Sequence, residues 1–180
     1  KLGVYYLDTG ATYRALTLAA LDRGLDLYDQ EALKNLALKL NINIQGRTIF
    51  LEGVDVSSKI RTPQIDKNIS AVVSHHQVRE VMVKLQRTIA KDGDFVVEGR
   101  DITTVVFPSA EYKFYLDASV EIRAKRRFDE LKAKGVDISF KEVLQDVERR
   151  DTADKTRESG PLRQAKDAVY IDTTNFTIEE

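Results

Sequence analysis

The sequence predicts an α/β protein built on a mostly parallel sheet, and three observations carry that reading. Short β-branched or aromatic runs alternate with helical periodicity along the 180 residues. Several of those runs end on an acidic residue or a polar turn, at Asp8-Thr9-Gly10, Glu98-Gly99-Arg100-Asp101, Asp117 and Asp172-Thr173-Thr174. In open α/β sheets the ligand crevice lies at those carboxyl ends. No repeat, low-complexity stretch or long linker interrupts the alternation, so one domain is expected.

Taken in order, a strand is expected over 4–7 and a helix over 11–23, then a second helix over 30–40. Residues 41–62 read as a small insertion, with short strands of its own over 48–56 before Arg61-Thr62-Pro63. The region 63–91 is too long for one uncapped helix. Thr62 with Pro63 forms an N-cap and first-turn pair, and Ser74-His75-His76-Gln77 matches a capping box, so a break is expected at Ser74. Strands follow over 95–97 and 113–116, a helix over 119–134, and another from Phe140 onward. Residues 150–162, with Gly160-Pro161 as breaker, read as a loop or lid, and a last strand covers 169–171.

Composition excludes several classes of function. A hydrophobic fraction of 42% and a charged fraction of 32% are those of an ordinary globular protein, and a net charge of −1 supplies no pull toward nucleic acid or anionic membrane. With no cysteine, disulfides, thiolate catalysis and Cys-based zinc sites are out. Adjacent His75 and His76 point apart on a helix, which suits cap residues better than metal ligands. No apolar run approaches the roughly 18 residues of a membrane span and no signal peptide is present, so a cytoplasmic protein is expected, and separately a monomer. The chain opens inside a strand pattern without methionine and closes on what looks like a first helical turn over 177–180. It reads as a segment of a longer protein, truncated at both ends.

Three constellations carry chemistry. Phe140, Val143, Leu144 and Val147 share one helix face, and the same stripe continues through Arg150, Asp154 and Arg157. Two guanidiniums and a carboxylate on an apolar stripe either meet an anion or form a solvated face of i,i+4 pairs. Leu7-Asp8-Thr9-Gly10 leads a strand into a helix that carries Arg14 in its early turns, where anions are favoured; a routine strand–turn–helix link reads the same. Arg100-Asp101 follows the apolar strand 95–97 and either projects into the crevice or forms a structural ion pair.

In order and spacing, Leu7-Asp8-Thr9-Gly10-Ala11-x-Tyr13-Arg14, Ile60-Arg61-Thr62-Pro63, Gly99-Arg100-Asp101-Ile102-x-Thr104-Val105-Val106-Phe107-Pro108 and Arg150-Asp151-x-x-Asp154-x-x-Arg157 resemble the bacterial cytidylate kinases, as does the closing Tyr170-Ile171-Asp172-Thr173-Thr174. The resemblance implies one kinase domain over 1–180, in a three-layer, parallel-sheet P-loop nucleoside monophosphate kinase fold. The insertion 41–62 then becomes the monophosphate-binding part, and 150–162 the lid. It also implies transfer of the ATP γ-phosphoryl group to CMP or dCMP, with Mg²⁺. Ser70, Arg79 and Asp101 fall where that family reads the cytosine ring, and Arg14, Arg100, Arg150 and Arg157 where it clamps phosphate. Asp154 falls on the ribose hydroxyls and Thr9 in the substrate site. Arg14, Arg150 and Arg157 are the catalytic candidates, and one of Arg123, Arg126 and Arg127 is a candidate contact to ATP.

This sequence departs from the family in three places. No Gly-x-x-x-x-Gly-Lys-Ser loop occurs in it, so neither the phosphate cradle nor the Mg²⁺-binding hydroxyl is among these residues. Thr12 stands where methionine is usual, and Thr103 where glycine is common, with a side chain expected to crowd the turn after Asp101. Tyr13 and Val105 are expected to pack rather than bind. The competing expectations are a kinase of UMP, AMP or shikimate, and a catalytically silent nucleotide-binding module.

Overall fold

A computed structural model describes residues 3–177 and 179. Its order is β1 (Tyr5–Asp8), α1 (Thr9–Asp22), α2 (Gln30–Lys39), β2 (Ile42–Gln45), β3 (Thr48–Leu51), β4 (Val54–Asp55), α3 (Pro63–Ser74), α4 (His76–Ile89), β5 (Phe95–Glu98), β6 (Phe114–Asp117), α5 (Val120–Ala133), α6 (Phe140–Thr156) and β7 (Val169–Asp172). The α/β class and the parallel strands are as expected. β1 pairs in parallel with β5, Asp8 opposite Glu98, and β6 pairs in parallel with β7, Asp117 opposite Asp172. The terminal turn expected over 177–180 falls partly on Ile178 and Glu180, outside the described residues.

The insertion is a three-stranded antiparallel meander, β2-β3-β4, closed by a 3₁₀ turn at Lys59–Arg61. Leu51 faces Val54 across a two-residue turn in which Glu52 and Gly53 both have positive φ, the backbone that joins right-twisted strands. β2 had no counterpart in the expectation, because only Ile42 and Ile44 mark its inner face.

The break between α3 and α4 lies where expected, but a different device makes it. Ser74 does not cap α4; its hydroxyl donates back to the Ala71 carbonyl at 2.6 Å. His75 adopts extended backbone (ψ 118°) and is the N-cap, with its Nε2 donating to the Leu27 carbonyl at 2.9 Å. The Gln77 amide is met by the Gln30 side chain from α2. Tertiary partners therefore supply the cap that a local box was expected to supply.

α6 also runs further than expected. A complete capping box, Ser139 with Glu142, starts it, and helix continues through Thr156, so half of the segment read as a loop is helical. The i,i+4 charges suit that helix, and it stops where Arg157 turns extended at ψ 144°.

Buried apolar residues concentrate between 11 and 83, where Leu16, Leu33, Ile60, Val72, Val78 and Met82 are fully enclosed. That core sets α1 against α3 and α2 against α4. Arg14 and Arg79 are carried on its flanks.

Candidate active site

Asp8, the last residue of β1, does two jobs. One carboxylate oxygen accepts the Ala11 amide at 2.9 Å and so caps α1; the other pairs with Arg61 at 3.1 Å. Thr9 is buried, and its hydroxyl donates to the Glu98 carbonyl at 2.7 Å, closing the end of β1 onto β5. A side chain at Gly99 would collide with that hydroxyl, so glycine is required there. Beyond Gly99 the chain turns through a π-helical segment, Ile102–Val106, in which the Val106 amide reaches back to the Asp101 carbonyl at 3.2 Å. Arg87 of α4 holds the segment by donating to the Val105 and Val106 carbonyls, both at 2.8 Å. Thr103 takes part in this helical turn half-buried, so the turn after Asp101 accepts it, contrary to expectation. Thr12 is matched by buried Gln86, whose amide donates to its hydroxyl at 2.9 Å.

The π turn aims Asp101 inward. Its carboxylate pairs with Arg79, both side chains being less than a tenth exposed, and Arg157 stands 3.6 Å away on the other oxygen. Tyr13 lies under Arg79 with its ring centroid 5.7 Å from the guanidinium carbon. Burial pushes the Tyr13 hydroxyl up to about 12, against the opposing charge of Arg79, so it stays a neutral donor. Tyr13, expected only to pack, is the platform on which Arg79 rests.

A second carboxylate stands beside the first. Asp154 is the buried polar residue of α6, at the position that continues the apolar stripe through Val143. It accepts from Arg100 at 2.9 Å, with Arg157 at 3.5 Å and Arg150 at 3.9 Å. Four guanidiniums thus surround two carboxylates, and positive charge is in surplus. Withdrawal from water, and after it the charges of Arg100 and Arg14, pull the Arg150 pKa below its usual value. Burial, and then Arg79, do the same to Arg157. An anion placed here would relieve both. Two buried donors, Arg79 Nε and Arg157 Nη2, have no hydrogen-bond partner, a state that costs about 1–3 kcal/mol each until an acceptor arrives.

The structure therefore brings Arg79, Arg100, Asp101, Arg150, Asp154 and Arg157 together. Arg14 sits at the edge of this group, paired with Asp66 at 2.6 Å. Ser70 stands exposed on α3 and makes no hydrogen bond to the Arg79–Asp101 pair. Gly160, at φ +59°, presses on that pair: a Cβ there would strike both Arg79 and Asp101, and its carbonyl accepts from Arg157 Nε at 2.5 Å. The neighbouring Ser159 meets His76 of α4 at 3.1 Å. Of the three arginines of α5, Arg123 binds Asp151, Arg126 binds the Thr173 and Phe176 carbonyls, and Arg127 binds Asp66 and Glu130. An open cavity of about 440 Å³ at the ends of β1 and β5 is lined among others by Tyr6, Asp8, Arg47, Arg61 and Glu98, and by none of the clustered residues. Sequence reasoning missed Asp66, which no motif marks, and took Gly160 only as the breaker of residues 150–162. It quoted Arg61 and Glu98 without giving them a role.

Among the described residues no helix is long and apolar enough to cross a membrane. The family model described as Cytidylate kinase matches residues 1–180. A cytidylate kinase of Clostridium botulinum is 47% identical over 180 residues, all of this chain and 83% of its own. Those of Caldanaerobacter subterraneus and Bacillus pumilus are each 46% identical, covering 99% and 100% of this chain and 80% and 82% of theirs. A family model over the whole of this chain, and relatives at that identity over nearly all of it, make this chain a member of the cytidylate kinase family.

Proposed function

We propose that the protein transfers the γ-phosphoryl group of ATP to CMP or dCMP, and that the buried Arg79–Asp101 pair reads the base. The observation that carries the base-reading role is the pair's unmet chemistry: a carboxylate and a guanidinium with a free buried donor, side by side on a fixed platform. Cytosine offers an N4 amino donor for the carboxylate and N3 and O2 acceptors for the guanidinium. Uracil would turn its O4 acceptor toward Asp101, leaving both unpaired. Arg14, Arg100, Arg150 and Arg157 offset the acceptor phosphate, and Asp154 takes the sugar hydroxyls. Ser70 reaches the ring from α3 and Thr9 borders the site.

Phosphoryl transfer leaves little covalent chemistry to the protein, so positioning and charge neutralisation do the catalysis. Arginines already crowded together hold an energetic reason to close on an anion. As Arg157 turns toward phosphate, Gly160 leaves the Arg79–Asp101 pair and opens room for the base.

Mg²⁺, when bound, would supply positive charge that offsets the donor phosphates. Among the described residues no three His, Asp or Glu side chains converge to hold such an ion, so its ligands are not assigned within this chain and no step is placed on it.

Initial rates of ADP formation by the full-length protein with CMP, dCMP, UMP, AMP and shikimate test the reading. CMP and dCMP are expected to lead. Faster turnover of UMP, AMP or shikimate, or binding without turnover, would replace it.

A further inference from the structure

Asp66 lies on α3, outside every motif. Its two oxygens serve two other helices: Oδ1 is 2.6 Å from Arg14 Nη2 on α1, and Oδ2 accepts from Arg127 Nη2 on α5 at 2.8 Å. Arg14 is further held by its Nη1, which donates to the Ile60 carbonyl at 3.1 Å. One terminal nitrogen of that guanidinium is thus hydrogen-bonded and the other ion-paired before any nucleotide binds. Rotamer freedom of the arginine side chain is therefore given up in folding, in advance of the reaction. Arg127 shares α5 with Arg123, which binds Asp151 at 2.5 Å on α6, the helix of Arg150 and Asp154. Through α5, two separate sets of ion pairs therefore tie α1 and α3 on one side and α6 on the other to the same helix, with Asp66 joining Arg14 to Arg127.

We infer that Asp66 is a positioning residue for phosphoryl transfer, holding Arg14 in its transition-state orientation and fixing α3 against α5. The inference rests on Arg14 acting at the acceptor phosphate. Its signature follows from charge. Asp66 is an anion near an anionic substrate and gives nothing to ground-state binding, so its loss leaves KM for CMP unchanged or lower. The loss frees Arg14 to wander, and a misplaced catalytic group lowers kcat by up to about a hundredfold. A residue that only stabilised the fold would lower Tm without separating kcat from KM.

The test compares Asp66→Asn, Asp66→Glu, Arg127→Ala, Arg14→Ala and the double variant Arg14→Ala/Asp66→Asn in the full-length protein, with Tm measured on each. Asp66→Asn is expected to lower kcat about tenfold or more at a KM no higher than the parent's. Asp66→Glu should recover part of that loss. Arg127→Ala should lower kcat by a smaller factor, also without raising KM. The double variant should be no slower than Arg14→Ala alone, because both act through one guanidinium. A kcat for Asp66→Asn within twofold of the parent's, a raised KM, or losses that multiply in the double variant would overturn the inference. Should Asp66→Asn fail to fold, Asp66→Glu and Arg127→Ala decide: a kcat within twofold of the parent's in Arg127→Ala, or a raised KM in either, overturns it. If Arg14→Ala itself changes neither kcat nor KM, the reading of Arg14 as phosphate clamp fails, and this inference with it.

Discussion

Residues 11–83 and residues 113–172 are held together by different means. The first region encloses Leu16, Leu33, Ile60, Val72, Val78 and Met82 completely and carries Arg79 on that core. The second buries only short apolar side chains among its described residues, Ala118, Ala124, Val143 and Ala165, beside the charged Lys113 and Asp154, and leaves Phe114, Leu116, Val169 and Tyr170 at least half exposed. Its elements are tied by charge, as in Arg123–Asp151 and Lys113–Asp167, both at 2.5 Å. Apolar packing resists displacement, whereas ion pairs exchange partners readily when another anion arrives. A platform for reading a base belongs on the first kind of structure, and an arm that closes on phosphate on the second.

Truncation in each region should break the symmetry most plainly. Leu16→Ala is expected to destabilise by about 2–5 kcal/mol, and Val143→Ala by about 2 kcal/mol, in urea unfolding followed by circular dichroism. Equal losses would remove the contrast. A smaller effect separates the regions by salt. Arg123 and Asp151 are about a third and a fifth exposed, so their pair is worth about 1 kcal/mol and weakens as salt is raised. Hydrogen exchange in α6 should therefore accelerate between low and high salt, while exchange in α1 stays constant.

The smallest effect is one of pH. Glu130 is held below the usual carboxylate range by its hydrogen bond to Lys134, with Arg127 adding to it. A depressed folded pKa stabilises above the unfolded value, so that contribution is present at neutral pH and is lost as pH falls through the folded value. Glu130→Gln should flatten the acid limb of the stability curve slightly and leave neutral catalysis alone.

Periodicity carried much of this into the sequence. The stripe of α6 set Arg150, Asp154 and Arg157 on one face while leaving open whether that face met an anion or water, and the break at Ser74 was expected from the Ser74–Gln77 pattern. Local patterns failed where a distant partner decides. At the start of α4 the Leu27 carbonyl holds the His75 ring and Gln30 meets the Gln77 amide, and Asp66 meets Arg127 across 61 residues. Nothing in a linear motif records such a meeting. Residues 150–162 read as a loop or lid on the strength of Gly160-Pro161, whereas helix runs on through Thr156 with Arg150 and Asp154 paired i to i+4 within it.

The most direct test of the account concerns Asp101. Comparing kcat/KM for CMP and UMP in the parent and in Asp101→Ala isolates the base-reading role from overall stability, because both substrates see the same folded enzyme. The ratio of CMP to UMP is expected to fall by about tenfold or more, the size of one lost buried hydrogen bond to a charged group. A variant that still prefers CMP as strongly as the parent would contradict the claim that this carboxylate reads the base.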